Sequence, residues 1–186
     1  IIATPVFMAA MLVAFPYHYT VSLFLFIAAS LTDLIDGKMA RSRNLVTDFG
    51  KFLDPLADKM LTTAAYLGFI YMYRDNARCC IAITAVTFIV LFREFMVSSI
   101  RLVTVSSGGK VIAANMWGKA KTVSQMAGII AALAYYALKE FVKLPAGCDT
   151  AADAVIIALF VISGILCVIS GLIYLTGSKE YINPSK

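Results

Sequence analysis

Long apolar runs dominate this chain of 186 residues, and one charged stretch, residues 33–59, interrupts them. Hydrophobic residues make up 61% of the sequence and the mean hydropathy is +0.85, whereas about half of the residues are apolar in a soluble domain. A membrane-spanning helix needs about 20 mainly apolar residues, so this length allows roughly six spans with short loops. We therefore predict an all-α, polytopic membrane protein: a six-transmembrane-helix bundle that forms a single domain over residues 1–186.

The apolar runs also predict where the helices lie. We expect spans at about residues 1–15, 21–40, 79–103, 117–138 and 154–175, a third helix that starts between residues 48 and 54 and runs to about 73, and a polar loop at residues 139–153. The first run is short for a span and no Met begins the chain, so we expect a further segment before Ile1. The four cysteines have no metal-binding spacing and are expected to be reduced.

The basic residues predict the orientation of the bundle in the membrane. Of the 16 Lys and Arg residues, only Arg74, Arg78, Lys139 and Lys143 fall in the connections on one side, which leaves twelve on the other. Such a bias marks the cytoplasmic side. We therefore expect a multi-pass membrane protein, with both termini and the charged stretch facing the cytoplasm. The net charge of +5 is expected to meet anionic lipid and not nucleic acid.

Two pairs of carboxylates in the charged stretch predict a metal site. Asp33 and Asp36 are three residues apart, and Asp54 and Asp58 are four apart, so each pair projects from one helix face. Carboxylates near the bilayer are costly and usually face the bundle interior, where they carry function. Two helices with two carboxylates each could hold hard divalent cations such as Mg2+. Taken alone, Asp54 before Pro55 also fits a helix N-cap.

Other residues on the same side suggest binding of phosphate. Gly37 and Gly50 would let a phosphate or a base approach the backbone, although helix packing explains a glycine equally well. Arg41 lies one turn beyond Gly37 and could neutralise phosphate charge. A second basic set follows in later helices: Arg93, Arg101, Lys119 and Lys121. For Arg93, pairing with Glu94 or snorkelling to the interface remains an alternative. The pattern indicates a membrane enzyme that handles two phosphate-bearing groups.

The charged stretch resembles the signature of the CDP-alcohol phosphotransferase family at every fixed position. The matching pattern is Asp33-x2-Asp36-Gly37-x2-Ala40-Arg41-x8-Gly50-x3-Asp54-x3-Asp58. Further segments are similar to the bacterial phosphatidylglycerophosphate synthases within that family: Phe92-Arg93-Glu94, Arg101, Gly118-Lys119-Ala120-Lys121-Thr122 and Gln125-Met126. One feature departs from the family pattern, since the amphipathic segment usual before the first span is not present ahead of Ile1.

The resemblance implies a role for each matching position. Asp33, Asp36, Asp54 and Asp58 would bind Mg2+ or Mn2+, as two ions, and Asp58 would also act as the general base. Gly37, Ala40, Arg41 and Gly50 would surround the CDP group of CDP-diacylglycerol. Arg93, Arg101, Lys119 and Lys121 would hold the phosphate of the acceptor, glycerol 3-phosphate. The resemblance also implies a homodimer with a cavity open to the cytoplasmic leaflet, and transfer of the phosphatidyl group to give phosphatidylglycerol phosphate and CMP in phospholipid biosynthesis.

Three other functions remain as alternatives. A different acceptor in the same family (serine, inositol phosphate or phosphatidylglycerol) would keep the metal site, although serine would leave the basic set around Arg93 without a partner. An intramembrane prenyltransferase also uses paired aspartates, but such enzymes need more spans than this chain allows. A divalent cation transporter would need polar residues in several spans, whereas these carboxylates gather at one face.

Overall fold

The computed structural model describes residues 3–42, 48–106, 116–143, 145 and 147–177. At residues 34, 36–42, 48–58, 102, 103, 105 and 106 it describes the helix but not the side chain. The described part is all-helical, with helices α1 (Ala3–Leu12), α2 (His18–Ser42), α3 (Asp48–Met72), α4 (Ala77–Ser106), α5 (Met116–Phe141) and α6 (Cys148–Gly177). The all-α prediction is therefore confirmed for these residues, which contain no strand.

The six helices pack as a closed ring whose order differs from the order of the chain. α1 packs on α2 and α3, α3 packs on α4, α4 packs on α6, α6 packs on α5, and α5 packs on α2. Contacts of α3 with α2 and α5 cross the ring. This order brings α6 between α4 and α5, so the last helix contacts the two helices that carry the predicted acceptor-binding residues.

Aromatic residues fill the middle of the ring. Tyr66 and Phe69 of α3 both pack on Phe160 of α6, with ring centroids 5.2 and 5.3 Å apart, and all three side chains are buried. Gly128 of α5 makes room for the same ring, since an added Cβ would lie 3.2 Å from Phe160 Cδ1. Aromatic rings bury large apolar areas, so this group holds α3, α5 and α6 together below the charged end.

Length and composition support a membrane span for two of these helices. Ala77–Arg101 in α4 and Cys148–Gly177 in α6 are long and apolar enough to cross a bilayer, and α1 is a shorter apolar helix. The described residues thus form six helices, while six spans stay a prediction. The described parts of α3 and α5 include charged residues near the end that carries the predicted site, which lowers the hydropathy of those helices.

Two details of the predicted boundaries are wrong. The predicted polar loop at 139–153 is much shorter, because α5 continues to Phe141 and α6 begins at Cys148. Asp149 explains part of this difference: it lies in the first turn of α6, where a carboxylate favours the helix, and it accepts a hydrogen bond from Lys139 at 2.7 Å. The capping alternative for Asp54 is also wrong, since α3 begins six residues earlier, at Asp48.

Candidate active site

The predicted metal and CDP residues lie in the last turns of one helix and the first turns of the next. The C-terminal part of α2 carries Asp33, Asp36, Gly37, Ala40 and Arg41, and the N-terminal part of α3 carries Gly50, Asp54 and Asp58. The side chain of Asp33 is exposed. The other seven side chains lie outside the described residues, so their predicted roles stay predictions. Among the side chains that are described, no group of three or more His, Cys, Asp or Glu forms a metal site.

A buried group of charges lies at the same end of the bundle. Glu94 of α4 accepts hydrogen bonds at Oε1 from Lys121 of α5 and from Arg93 NH1, the latter at 3.1 Å. Its Oε2 lies 3.7 Å from Lys59 Nζ of α3. We call Lys59, Arg93, Glu94 and Lys121 the Glu94 cluster. Three cations surround one carboxylate, so the formal charge of the cluster is +2.

Two serines extend the Glu94 cluster. Lys59 Nζ donates to Ser98 Oγ, one turn beyond Glu94 in α4, and lies 3.5 Å from the Glu94 carbonyl oxygen. Arg93 NH2 donates to Ser170 Oγ of α6 at 2.6 Å. With these contacts, the cluster joins α3, α4, α5 and α6. The ring order of the helices is what makes this possible, because the four helices are neighbours around one end.

The charges of the cluster are largely removed from solvent. The side chains of Lys59, Arg93, Glu94 and Lys121 are 24%, 13%, 15% and 7% exposed. Taking a charge out of water is costly unless it is paired and hydrogen-bonded. Among the described side chains, one carboxylate faces three such cations, so this arrangement favours the binding of a further anion.

Two buried donors near the cluster have no partner among the described residues. They are Arg93 Nε and Gln125 Nε2. Gln125 lies four residues after Lys121, on the same face of α5, and its side chain is buried. Buried donors without a partner are rare in native proteins. Arg93 Nε belongs to a charged guanidinium, which suits an anionic ligand, whereas Gln125 lies beside the Tyr66 hydroxyl.

The backbone of α6 fixes where the Arg93 side chain can lie. Gly171 follows Ser170, and a Cβ added to it would lie 3.1 Å from Arg93 Cγ and 3.3 Å from Met96 Cε. These distances are tighter than ordinary carbon contacts of about 3.5–4.0 Å. Glycine at this position therefore lets the aliphatic stem of Arg93 pass close to α6 while its guanidinium reaches Ser170.

The structure brings together two of the four predicted acceptor-binding residues. Arg93 and Lys121 both bind Glu94, whereas Arg101 and Lys119 lie on the same helices with exposed side chains. The pairing of Arg93 with Glu94, which the sequence left as an alternative, is observed together with the clustering of cations.

Sequence reasoning did not assign Lys59, Glu94 or Ser170 to the site. Lys59 directly follows Asp58, and Glu94 is a carboxylate inside an apolar helix. Both features could have marked these residues as candidates for the site. Nothing in the local sequence distinguishes Ser170 from the other small residues of α6.

The opposite end of the bundle carries a second polar group. Asp153 Oδ1 of α6 accepts hydrogen bonds from Tyr73 at 2.6 Å and from Tyr136 at 2.8 Å. Glu140 of α5 accepts hydrogen bonds from the backbone of Tyr19 and Thr20, at 2.8 and 3.0 Å, in the first turn of α2. Both carboxylates join helices, so we assign this end a structural role.

Comparison with known proteins points to the family that the signature residues resemble. Residues 1–170 match the model of the family described as CDP-alcohol phosphatidyltransferase. The chain is 41% identical over 153 residues to a CDP-diacylglycerol–glycerol-3-phosphate 3-phosphatidyltransferase of Bacillus subtilis, covering 76% of this chain and 75% of that protein. It is 32% identical over 186 residues to the protein of the same name in Rickettsia bellii, covering 97% and 91%.

A relative with a different name is also similar. The chain is 33% identical over 141 residues to a cardiolipin synthase (CMP-forming) of Oryza sativa subsp. japonica, covering 71% of this chain and 42% of that protein. The relatives therefore include proteins whose names give different reactions.

Proposed function

Because the chain belongs to the CDP-alcohol phosphatidyltransferase family, we propose that it transfers the phosphatidyl group of CDP-diacylglycerol to glycerol 3-phosphate. The products are phosphatidylglycerol phosphate and CMP. The family prediction made from the eight signature residues is confirmed. The names of the relatives support this donor and acceptor, and the observation on this chain that carries the proposal is the Glu94 cluster, whose +2 charge suits a phosphate-bearing acceptor.

The signature carboxylates suit the divalent metal that we expect. Asp33, Asp36, Asp54 and Asp58 supply only oxygen ligands, which are the ligands that Mg2+ prefers and that Mn2+ accepts. Such ions, when bound, neutralise charge on the diphosphate of the donor. Removal of the metal by a chelator should therefore stop the reaction, and Mg2+ or Mn2+ should restore it.

Different protein residues act as the base, balance charge and bind the two substrates. Asp58 removes the proton from the primary hydroxyl of glycerol 3-phosphate as general base. The oxygen forms a bond to the β-phosphorus of CDP-diacylglycerol, and the bond from that phosphorus to the CMP oxygen breaks. Arg41 balances the charge that develops on CMP, while Gly37, Ala40 and Gly50 leave room for the cytidine diphosphate. Arg93 and Lys121, with Arg101 and Lys119 nearer to solvent, bind the phosphate of the acceptor.

A phosphatidylglycerol acceptor is the second candidate, because a cardiolipin synthase is among the relatives. Phosphatidylglycerol carries a phosphodiester with one negative charge. A phosphate monoester carries about −1.5 to −2 at pH 7, which is closer to the charge that the Glu94 cluster can neutralise. This difference favours glycerol 3-phosphate.

The release of CMP by purified protein in detergent tests the proposal. The protein would receive CDP-diacylglycerol and Mg2+, and separately glycerol 3-phosphate, phosphatidylglycerol, serine or inositol phosphate. Release that requires glycerol 3-phosphate and stops with a chelator is the expected result. Release with another acceptor would replace the acceptor that we propose, and release with none would favour the transporter alternative, which a metal-uptake assay in vesicles would test.

We also propose that all six helices span a bacterial cytoplasmic membrane, with the Glu94 cluster towards the cytoplasm. The excess of basic residues on that side supports this orientation. Lys143 lies near the opposite end and is exposed. In a variant without native cysteines, Cys introduced as Lys143→Cys should react with an impermeant maleimide added outside intact spheroplasts, and Lys119→Cys should not. Cross-linking in membranes would test the homodimer that the resemblance implies.

A further inference from the structure

The cations of the Glu94 cluster have more hydrogen-bond donors than the described residues use. An ammonium has three donors and a guanidinium has five. Arg93 donates through NH1 to Glu94 and through NH2 to Ser170, and its buried Nε has no partner among the described residues. Lys121 donates to Glu94. Arg93 and Lys121 can therefore donate further hydrogen bonds to the oxygen atoms of a bound ligand.

Lys59 lies farther from the Glu94 carboxylate than a hydrogen-bonded salt bridge would place it. Its Nζ lies 3.7 Å from Glu94 Oε2, beyond hydrogen-bond length, while it donates to Ser98 Oγ and to the Glu94 carbonyl oxygen, the latter at 3.5 Å. The Glu94 carboxylate accordingly keeps Lys59 near Lys121 and Arg93 without using all of its donors. An oxyanion placed among these side chains would receive hydrogen bonds from three helices: α3, α4 and α5.

We propose that Lys59 is a further ligand of the acceptor phosphate, and that Glu94 is the positioning residue that gathers Lys59, Arg93 and Lys121 around it. This inference rests on the proposed function and names residues that neither the signature nor the predicted basic set contains. Without Glu94, three cations of like charge would repel one another in a site with little solvent to screen them. With Glu94, the cluster carries +2 and matches a phosphate monoester dianion.

Because Lys59 is next to the predicted base in the chain, phosphate binding by Lys59 would also orient the acceptor. Lys59 directly follows Asp58, the predicted general base, in α3. Glycerol 3-phosphate carries its phosphate and its reacting hydroxyl at opposite ends of three carbons. A phosphate bound by Lys59 would thus be tied to the same helix turn as the base, which limits where the hydroxyl can lie. Acceptors without a phosphate monoester would lose this alignment as well as binding energy.

Kinetics of four variants test the inference. Lys59→Met keeps the length of the side chain and removes its charge, and Glu94→Gln keeps the shape of the side chain and removes its charge. For both we expect the KM for glycerol 3-phosphate to rise about tenfold or more, because a charge-assisted contact is lost or misplaced. The KM for CDP-diacylglycerol should change less than about threefold. Lys59→Arg should recover most of the acceptor affinity, and Lys143→Met, which replaces an exposed lysine at the other end, is the matched control.

Inorganic phosphate supplies a second readout that does not need turnover. It should inhibit the parent protein in competition with glycerol 3-phosphate, and its inhibition constant should rise in Lys59→Met and in Glu94→Gln alike. Glu94→Asp, which keeps the charge on a shorter side chain, should lie between Glu94→Gln and the parent. If the ion pair had only a structural role, both substitutions would instead lower the unfolding temperature and kcat, without a selective change in the KM for glycerol 3-phosphate.

The outcomes separate this inference from the proposed function. If the parent protein does not use glycerol 3-phosphate, the proposed function fails, and the inference with it. If the parent uses glycerol 3-phosphate while Lys59→Met retains the parent KM for it, Lys59 is not a ligand. If Glu94→Gln folds and also retains that KM, Glu94 does not position the cations. Should Glu94→Gln not fold, the comparison of Lys59→Met with Lys59→Arg and Lys143→Met still decides whether Lys59 binds the acceptor.

Discussion

Replacement of Gly171 by alanine tests whether α6 positions Arg93. The new Cβ would lie 3.1 Å from Arg93 Cγ and 3.3 Å from Met96 Cε. Met96 can move, because its methyl is the end of a flexible side chain. Arg93 has less freedom, since its guanidinium is bound to Ser170 at 2.6 Å and to Glu94 at 3.1 Å. The substitution should therefore displace the guanidinium and not only the stem.

The size of the effect follows from three contributions. Relief of the contact with Arg93 requires a shift of about 0.4 Å to reach the ordinary carbon separation of about 3.5 Å. Overpacking of this kind costs about 1–3 kcal/mol, while alanine in place of glycine inside a helix gains about 1 kcal/mol. The net loss of stability should be about 0–2 kcal/mol. Weakening one charged hydrogen bond, worth about 1.5–3 kcal/mol when lost outright, should raise the acceptor KM about 3- to 10-fold.

Gly164 provides a matched control in the same helix and against the same neighbour, α4. A Cβ at Gly164 would meet Val86 Cγ2 at 3.5 Å, which is ordinary contact. Gly164→Ala should therefore leave the acceptor KM unchanged and leave the unfolding temperature equal or higher. The assay is steady-state release of CMP at varied glycerol 3-phosphate, together with thermal unfolding in detergent.

The comparison of the two alanine variants can refute the reasoning. If Gly171→Ala and Gly164→Ala show the same acceptor KM, then the close approach of α6 does not determine where Arg93 lies. If Gly171→Ala raises the KM for CDP-diacylglycerol as much as that for the acceptor, Arg93 serves the donor and the assignment of the cluster to the acceptor is wrong.

Three further predictions concern the base, the buried lysine and the opposite end of the bundle. Asp58→Asn should abolish turnover while Mg2+ still raises the unfolding temperature, and near-parent turnover would show that another group is the base. Lys121→Met should raise the acceptor KM more than Lys119→Met, because only the first lysine is buried against Glu94; an equal rise would contradict this. Glu140→Gln should lower the free energy of unfolding by about 1–3 kcal/mol, since both oxygens of Glu140 accept hydrogen bonds from the first turn of α2. It should not change the acceptor KM. Unchanged thermal unfolding would mean that these hydrogen bonds do not stabilise the protein.

Much of the chemistry that we propose depends on local spacing, which the sequence shows directly. Asp33 with Asp36, and Asp54 with Asp58, share a helix face once the segment is helical, whatever the rest of the chain does. The long apolar runs likewise predict helices, because backbone groups in a bilayer must form their hydrogen bonds within the segment. The family follows from the same eight residues, and the model of that family matches residues 1–170.

The Glu94 cluster, which we propose binds the acceptor, could be predicted only in part. Arg93 was singled out because a charge in an apolar helix is costly, and Lys121 because it lies on the same side in a segment similar to the phosphatidylglycerophosphate synthases. Lys59 and Glu94 were passed over because each has an ordinary local explanation, as a neighbour of Asp58 and as a partner of Arg93.

By itself, then, the sequence determined the helices, the acidic pairs and the family, since each of these is set by residues within a few turns of one another. Only the tertiary structure decided that residues 59, 94, 121 and 170 meet. These positions are far apart in the chain, and their meeting depends on the ring order in which α6 packs between α4 and α5. The apolar periodicity of a helix reports that one face is buried but not which helix covers it, so no pattern within the chain could have given that order.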